Sequence, residues 1–135
     1  MDLTITENSE TVVTLHVKGK LDGSNYQALV DEAQKLYDSG KRNLLLDMSE
    51  LTFISSAGIS GLHRVALIFR GEKQADPEEG WAAYRAINRD RESGMQEHVK
   101  LFGLLERVQQ TLELVGFTAL FETFTDMDTA IASFG

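Results

Sequence analysis

The chain has 135 residues, the length of one domain, and 42% hydrophobic and 25% charged residues, the composition of a globular protein. Acidic residues outnumber basic ones by 21 to 13, and the net charge of -8 disfavours nucleic acid or an anionic membrane as a partner. The absence of cysteine excludes disulfide scaffolds, thiol enzymes and metal–thiolate sites. The sequence shows no membrane-spanning apolar run and no signal-peptide pattern, so we expect a cytoplasmic protein.

Alternating apolar and polar residues predict two strands at the start of the chain. Residues 3–6 form the first strand and residues 13–17 the second, and the polar stretch at 7–10 predicts a hairpin between them. We expect Gly19 to end the second strand. A helix should then begin at Ser24, the predicted N-cap, with Gln27 completing a capping box, and it should stop near Gly40.

A continuous apolar run at residues 43–48 predicts a central strand that is covered on both faces. We interpret residues 49–54 as a loop leading into a second helix that begins near Ser56. Further strands are predicted at residues 99–102 and 121–124, with a helix between them that is marked by Leu105, Val108, Leu112 and Val115 and closed by Gly116. Asp126 should cap a short last helix.

Residues 71–97 form the least regular segment, which is rich in charge. Asp76 followed by Pro77 predicts the start of a short helix that carries Trp81 and Tyr84. The order of elements is therefore β-β-α-β-α-(helical insert)-β-α-β-α. Strands that alternate with helices imply an α/β fold, a single domain over residues 1–135 with a mixed, mostly parallel sheet and helices packed on it.

The sequence carries no pattern typical of an enzyme. His16, His63 and His98 are far apart and lack metal-ligand spacing, so each is interpreted as a structural or surface histidine. His63 lies two helical turns from Ser56, too far to activate its hydroxyl directly. We therefore predict no catalytic residue, no metal site and no cofactor of the chain's own.

The most informative stretch is the one in which the central strand gives way to the second helix. In α/β sheets, functional sites lie at the carboxyl ends of the strands. The simpler interpretation makes Ser56 the N-cap of the helix. The alternative makes Ser56 a phosphorylation site, because a helix N-terminus tolerates a phosphate while its charge would expel a docked partner. The residues alone favour the cap.

Three short motifs occur in a distinctive order along the chain. G-K-L-D stands at residues 19–22, D-M-S at 47–49 is followed by F-I-S-S-A-G-I at 53–59, and L-E-L-V-G-F at 112–117 precedes L-F at 120–121. These motifs resemble G-x-L-D, D-L-S with [FY]-[IM]-[DS]-S-[SAT]-G-[LI], and L-x-x-x-G-[LF]-x-x-[LIV]-F of STAS domains. The chain thus resembles bacterial anti-sigma-factor antagonists, which have the STAS fold, everywhere except at residues 71 to about 97.

The resemblance implies a function and a site. It implies that Ser56 is phosphorylated by an anti-sigma factor that is also a serine kinase, that phosphorylation blocks binding, and that a serine phosphatase restores it. ATP and Mg²⁺ would belong to the kinase. Asp22 would lie on the loop beside Ser56, and Gly58 would leave room for the kinase to approach. The residues implied to contact the partner are Asp22, Ser55, Ala57, Gly58 and Ile59.

Two features depart from the family pattern. Many members have Asp before the acceptor serine, where this chain has Ser55, so Ser55 is a competing acceptor. The segment at residues 71–97 is also additional, and Trp81 and Tyr84 in it would either form a partner or homodimer contact or cover apolar surface of the domain. A second hypothesis is therefore a STAS scaffold or ligand-binding module that is not switched at Ser56 and acts through assembly by this insert.

Overall fold

The computed structural model describes residues 1–71 and 96–134. Within these two ranges, five strands form one sheet in the order β1-β2-β3-β4-β5, and β1–β2 is the one antiparallel pair among them, so the predicted mixed α/β fold is confirmed. The strands are β1 (Asp2–Glu7), β2 (Val12–Leu21), β3 (Asn43–Ile54), β4 (Val99–Phe102) and β5 (Thr123–Phe124). The helices of the described ranges are α1 (Tyr26–Asp38), α2 (Ser56–Phe69), α3 (Glu106–Leu114) and α4 (Met127–Ala132), with a 3-10 helix at Phe117–Ala119.

β1 and β2 form the predicted hairpin, and a buried lysine holds its turn in place. The ammonium of Lys41, which is 7% exposed, donates hydrogen bonds to the carbonyls of Ser9 and Glu10 at 2.9 and 3.2 Å. Hydrogen bonds to a charged group contribute about 1.5–3 kcal/mol. Because Lys41 lies two residues before the first residue of β3, it ties the hairpin turn to the start of the central strand.

β2 and β3 are both longer than the sequence predicts. β2 continues past Gly19, and β3 includes residues 49–54, which we expected to form a loop. Two register shifts, after His16 and after Gly19, each add one residue to β3 and keep the lengthened strands paired. The bulges break the alternation of apolar and polar residues, and this is why the pattern of the sequence resembled a loop.

One face of the sheet carries the hydrophobic core. Alternate residues of β2 and β3, such as Leu15 and Leu46, are fully buried there together with apolar residues of α1, α2 and α3. The residues between them point to the second face, where His16 lies opposite Asp47. α4 covers the β4–β5 end of that face, since the ammonium of Lys100 donates to the carbonyl of Ser133 at 3.1 Å.

The C-terminal elements differ in part from their prediction. Phe121 is not in a strand, because its ring is buried against Phe117 with the ring centroids 5.1 Å apart, and β5 comprises only Thr123–Phe124. Leu105 and Val115, which we used to mark the extent of this helix, are its N-cap and C-cap residues and are exposed. Asp126 caps α4 as predicted.

α2 carries the chain from one edge of the sheet to the other. It begins immediately after β3, at the carboxyl edge, and its 14 residues extend about 20 Å before Gly71. Gln96 precedes β4, which is parallel to β3, so Gln96 lies at the amino edge as well. Residues 72–95 are therefore attached at the edge opposite to Ser56.

Candidate functional site

The carboxyl ends of β2 and β3 meet where α2 begins. The amide of Ser55 donates a hydrogen bond to the carbonyl of Leu21 at 2.9 Å, which ties the end of β2 to the residue after β3. Ser55 is the single residue between β3 and α2. This short connection holds the first turn of α2, and with it Ser56, in a fixed position relative to the sheet.

Ser55 and Ser56 have different surroundings. Ser55 is the N-cap of α2: its backbone is extended (φ -95°, ψ 174°), and its hydroxyl oxygen accepts a hydrogen bond from the amide of Gly58 at 3.2 Å. The interpretation of Ser56 as the cap is therefore wrong, because Ser56 is already the first helical residue. Ser56 is exposed, and its hydroxyl forms no hydrogen bond with the residues that the structure describes.

Gly58 and Ile59 lie inside the domain. A β-carbon on Gly58 would lie 2.6 Å from the carbonyl oxygen of Leu21 and 2.9 Å from Cγ1 of Ile54. The packing of α2 against β2 therefore requires glycine at this position, and the chain itself fills the space that we expected the kinase to use. Ile59 is 5% exposed and belongs to the core, whereas Ala57 is half-buried.

The loop after β2 places Asp22 beside the first turn of α2. A β-carbon on Gly23 would lie 3.6 Å from Cβ of Ala57, so this loop and α2 are in contact. Oδ1 of Asp22 accepts hydrogen bonds from the amide and the hydroxyl of Ser24, at 2.9 and 2.6 Å. The Ser24 hydroxyl, followed by its amide, lowers the pKa of Asp22 below its ordinary value, so Asp22 is an anion at neutral pH.

The same loop corrects the predicted start of α1. The N-cap is Asn25 and not Ser24, whose hydroxyl donates to Asp22. The side chain of Asn25 donates to the carbonyl of Lys20 at 2.8 Å and accepts from the amide of Asp22 at 2.9 Å. Gln27 donates to a residue one turn later, so no capping box forms. Asn25 thus braces the Asp22 loop, a role that the capping pattern did not reveal.

Phe53, three residues before Ser56 in the chain, is an exposed aromatic residue that the sequence did not single out as a partner contact. Its exposed fraction is 40%, and it lies opposite Lys20 in the β2–β3 pair. The orientation of Phe53 follows from the two bulges of β3, which have no clear signature in the sequence. An exposed aromatic side chain next to polar groups is typical of a protein-binding surface. We call Asp22, Phe53, Ser56 and Ala57 the Ser56 surface.

Other candidate features lie elsewhere or outside the described residues. Trp81 and Tyr84, predicted to contact a partner, lie outside the described residues. Within residues 1–71 and 96–134, no group of three His, Asp or Glu side chains is placed to hold a metal ion. Of the helices in those two ranges, none has the length and apolar character needed to cross a membrane.

Comparison with known proteins places this geometry in context. A family model described as "Mlab, STAS domain" matches residues 5–75, more than half of the chain. No curated protein matches the sequence significantly. An anti-sigma factor antagonist from Mycobacterium paratuberculosis has a similar structure, with 16% identity and a TM-score of 0.65 over 97% of this chain and 95% of that chain.

Two further solved structures share the fold. The Bacillus cell fate determinant SpoIIAA in its phosphorylated form is 11% identical, with a TM-score of 0.56 over 97% of each chain. The STAS domain of a SulP transporter from Vibrio cholerae is 18% identical, with a TM-score of 0.59 over 95% of this chain and 83% of that chain. Since the family model spans the motif around Ser56 and the architecture agrees, this chain belongs to the STAS domain family.

Proposed function

We propose that this chain is a partner-switching module, an anti-sigma-factor antagonist that is controlled by phosphorylation of Ser56. Unphosphorylated, it binds an anti-sigma factor that is also a serine kinase; phosphorylation releases it, and a serine phosphatase resets it. The protein then acts in the cytoplasm on transcription, and in this switch it is the substrate of the kinase. ATP and Mg²⁺ belong to the kinase. The fold shared with an anti-sigma factor antagonist and with phosphorylated SpoIIAA supports the proposal.

The exposure of Ser56 is the observation that carries the proposal. A kinase must bring a nucleotide phosphate in line with a free hydroxyl, and the hydroxyl of Ser56 is exposed and has no hydrogen-bond partner among the described residues. The hydroxyl of the competing acceptor, Ser55, is half-buried and occupied by the amide of Gly58. The two serines therefore differ in accessibility, and Ser56 is the better acceptor.

Phosphorylation at this position would change binding without unfolding the domain. A phosphoserine adds about 1.5 to 2 negative charges at pH 7. At the first residue of α2 the charge faces the positive end of the helix dipole, so the helix is retained. The neighbouring anion Asp22 makes the modified surface still more negative. A partner that covered Ser56 would then have to bury an unpaired charge, which opposes binding.

The rest of the Ser56 surface suits a protein partner. Phe53 offers an aromatic side chain that a partner could bury, and Asp22 offers a fixed carboxylate. Apolar anchors surrounded by polar groups supply most of the affinity in many protein interfaces. Gly58 and Ile59 contribute indirectly, since they position the first turn of α2 from inside the domain.

The test uses an anti-sigma factor with serine kinase activity from the same genome. The wild-type chain, Ser56→Ala and the matched control Ser55→Ala are incubated with this kinase, ATP and Mg²⁺, and the phosphate is located by mass spectrometry. Ser56→Ala should abolish labelling, and Ser55→Ala should retain it. In a binding assay, Ser56→Asp should weaken the complex at least about tenfold, because a charge is then buried, whereas Ser56→Ala should bind normally.

Two results would contradict the proposal. Phosphate on Ser55 in the Ser56→Ala variant would move the acceptor by one residue. An affinity that is the same for the wild-type chain, its phosphorylated form and Ser56→Asp would show that the surface is not switched by charge.

A second candidate is a STAS module that works through assembly and is not switched at Ser56. The similarity to the STAS domain of a SulP transporter favours it, as does the attachment of residues 72–95 at the edge of the sheet opposite to Ser56. A contact made through that segment would be independent of the charge at Ser56. Light scattering of the full chain, alone and with the kinase, separates the two: self-association unaffected by Ser56→Asp supports the second candidate.

A further inference from the structure

A polar cleft of about 390 Å³ lies on the second face of the sheet, where β1, β2 and β3 run side by side. Thr4, Thr6, His16 and Asp47 are among the residues that line it. Thr4 and Thr6 are exposed, and His16 is half-buried, so small molecules can reach these side chains from solvent. From the sequence we interpreted His16 as a structural or surface histidine, and its neighbours are brought to it by strand pairing.

Three side chains from three strands form a continuous line of hydrogen bonds in this cleft. Nε2 of His16 lies 2.8 Å from Oγ1 of Thr6, and Nδ1 of His16 lies 2.6 Å from Oδ2 of Asp47. The other carboxylate oxygen of Asp47 accepts from the amide and the hydroxyl of Ser49, at 3.0 and 2.7 Å. Each ring nitrogen therefore has its own partner, and the carboxylate is held at both oxygens.

The direction of these hydrogen bonds follows from the charge of Asp47. Burial opposes its ionisation, but hydrogen bonds from Ser49 and from His16 outweigh that effect and lower the pKa of Asp47. An ionised carboxylate can only accept, so Nδ1 of His16 donates to Asp47. In the neutral imidazole, Nε2 is then the acceptor, and it receives the proton of the Thr6 hydroxyl. A hydroxyl bonded to a base that is bonded in turn to an orienting carboxylate is the arrangement found around an activated nucleophile.

We propose that this cleft is an acyl-transfer site for small carboxylic esters, in which Thr6 is the nucleophile, His16 the general base and Asp47 a positioning residue. Oγ1 of Thr6 forms a bond to the carbonyl carbon of the ester while its proton passes to Nε2 of His16. The bond to the leaving alcohol breaks, and that alcohol takes the proton from His16. Water, deprotonated by His16, then attacks the acyl-threonine, releases the carboxylic acid and restores Thr6.

The free edge of the sheet can assist this reaction. No described strand pairs with the outer side of β1, so alternate backbone amides of β1 point away from the sheet and can donate to a developing oxyanion. Asp47 and Ser49 belong to the D-M-S motif at residues 47–49, whereas Thr6 and His16 lie outside all three family motifs. The hydrogen-bonded line shares no residue with the Ser56 surface.

The test uses p-nitrophenyl acetate as the probe with the full chain. The wild-type protein should release p-nitrophenolate and carry an acetyl group on Thr6, located by peptide mass spectrometry. His16→Gln and Thr6→Val should lower the rate at least about tenfold, because general-base catalysis contributes about 10²–10⁴. Thr6→Ser keeps a hydroxyl and should retain the reaction. Asp47→Asn should lower kcat and leave KM unchanged, because it removes the group that sets the tautomer of His16.

Thr123→Val is the matched control, since Thr123 is an exposed strand threonine that lies in β5, at the opposite end of the sheet from β1, and does not line the cleft. It should react like the wild-type chain, and the variants at residues 6 and 123 should keep the wild-type melting temperature. Acetylation confined to lysines and the N-terminal amine, or equal rates for wild type and His16→Gln, would overturn the proposal. Labelling of Ser56 by the kinase is a separate readout, so either proposal can fail alone.

Discussion

Ser55 and Ser56 are chemically identical neighbours, but their positions at the start of α2 give them different tasks. The oxygen of Ser55 satisfies an amide of the first turn, which would otherwise lack a partner within the helix. Ser56 is one residue further along, where the side chain points to solvent and the backbone is helical. Ser55 therefore caps α2, and the hydroxyl of Ser56 is left available for modification.

This division predicts different effects of the two alanine substitutions on stability. Ser55→Ala should lower the free energy of unfolding by about 1 kcal/mol, the usual cost of losing an N-cap. Ser56→Ala should change it by less than about 0.5 kcal/mol, because Ser56 is exposed and alanine favours the helix. Urea denaturation at neutral pH measures both. Equal losses would mean that Ser56 also takes part in the cap.

At the scale of elements, the junction between β3 and α2 depends on close contact with β2. The carbonyl oxygen of Leu21 accepts a hydrogen bond from the amide of Ser55. The same residue occupies the space that a side chain on Gly58 would need. The junction therefore requires glycine at position 58, and the requirement comes from packing within the domain. The presentation of Ser56 depends on that contact, since any shift of α2 away from β2 moves the first turn.

Gly58→Ala should destabilise the domain by about 1–3 kcal/mol, because the added methyl group would overlap the carbonyl oxygen of Leu21. Urea denaturation measures the loss, and the rate of Ser56 phosphorylation should fall with it. Gly23→Ala is the control, since its β-carbon would make only an ordinary contact with Ala57 at 3.6 Å. Two variants of equal stability would show that α2 can move away from β2 at little cost.

At the scale of the whole molecule, the additional segment and the Ser56 surface are attached at opposite edges of the sheet. Gly71 and Gln96 flank residues 72–95 at the amino edge, and α2 separates that edge from Ser56 by about 20 Å. The core formed by the described residues includes side chains from β2, β3, β4 and the helices α1, α2 and α3.

Replacing residues 72–95 by a short glycine–serine linker should therefore leave a folded domain. We expect one cooperative thermal transition and phosphorylation of Ser56 at the rate of the full chain. The replacement alters neither the core formed by the described residues nor the carboxyl edge of the sheet, where Ser56 lies. Circular dichroism during heating and the kinase assay provide the two measurements. A gradual transition without cooperativity would mean that the segment is an integral part of the fold.

Local sequence signals were sufficient for the order of the elements and for several of their ends. Alternation in residues 13–17, the apolar run at 43–48 and the cap at Asp126 depend on residues close together in the chain, so the sequence displays them directly. The motif at residues 53–59 likewise indicated the start of α2 and the family, and it drew attention to Ser56.

Only the tertiary structure decided which serine caps α2, why Gly58 is glycine, and what His16 contacts. Each depends on groups that are distant in sequence: Leu21 for Gly58, and Thr6 and Asp47 for His16, at separations of 10 and 31 residues. Strand register brings such groups together, and the register of β3 includes two bulges that the alternation of side chains does not encode. The sequence by itself therefore determined the scaffold and drew attention to Ser56, whereas long-range pairing determined the geometry around Ser56 and around His16.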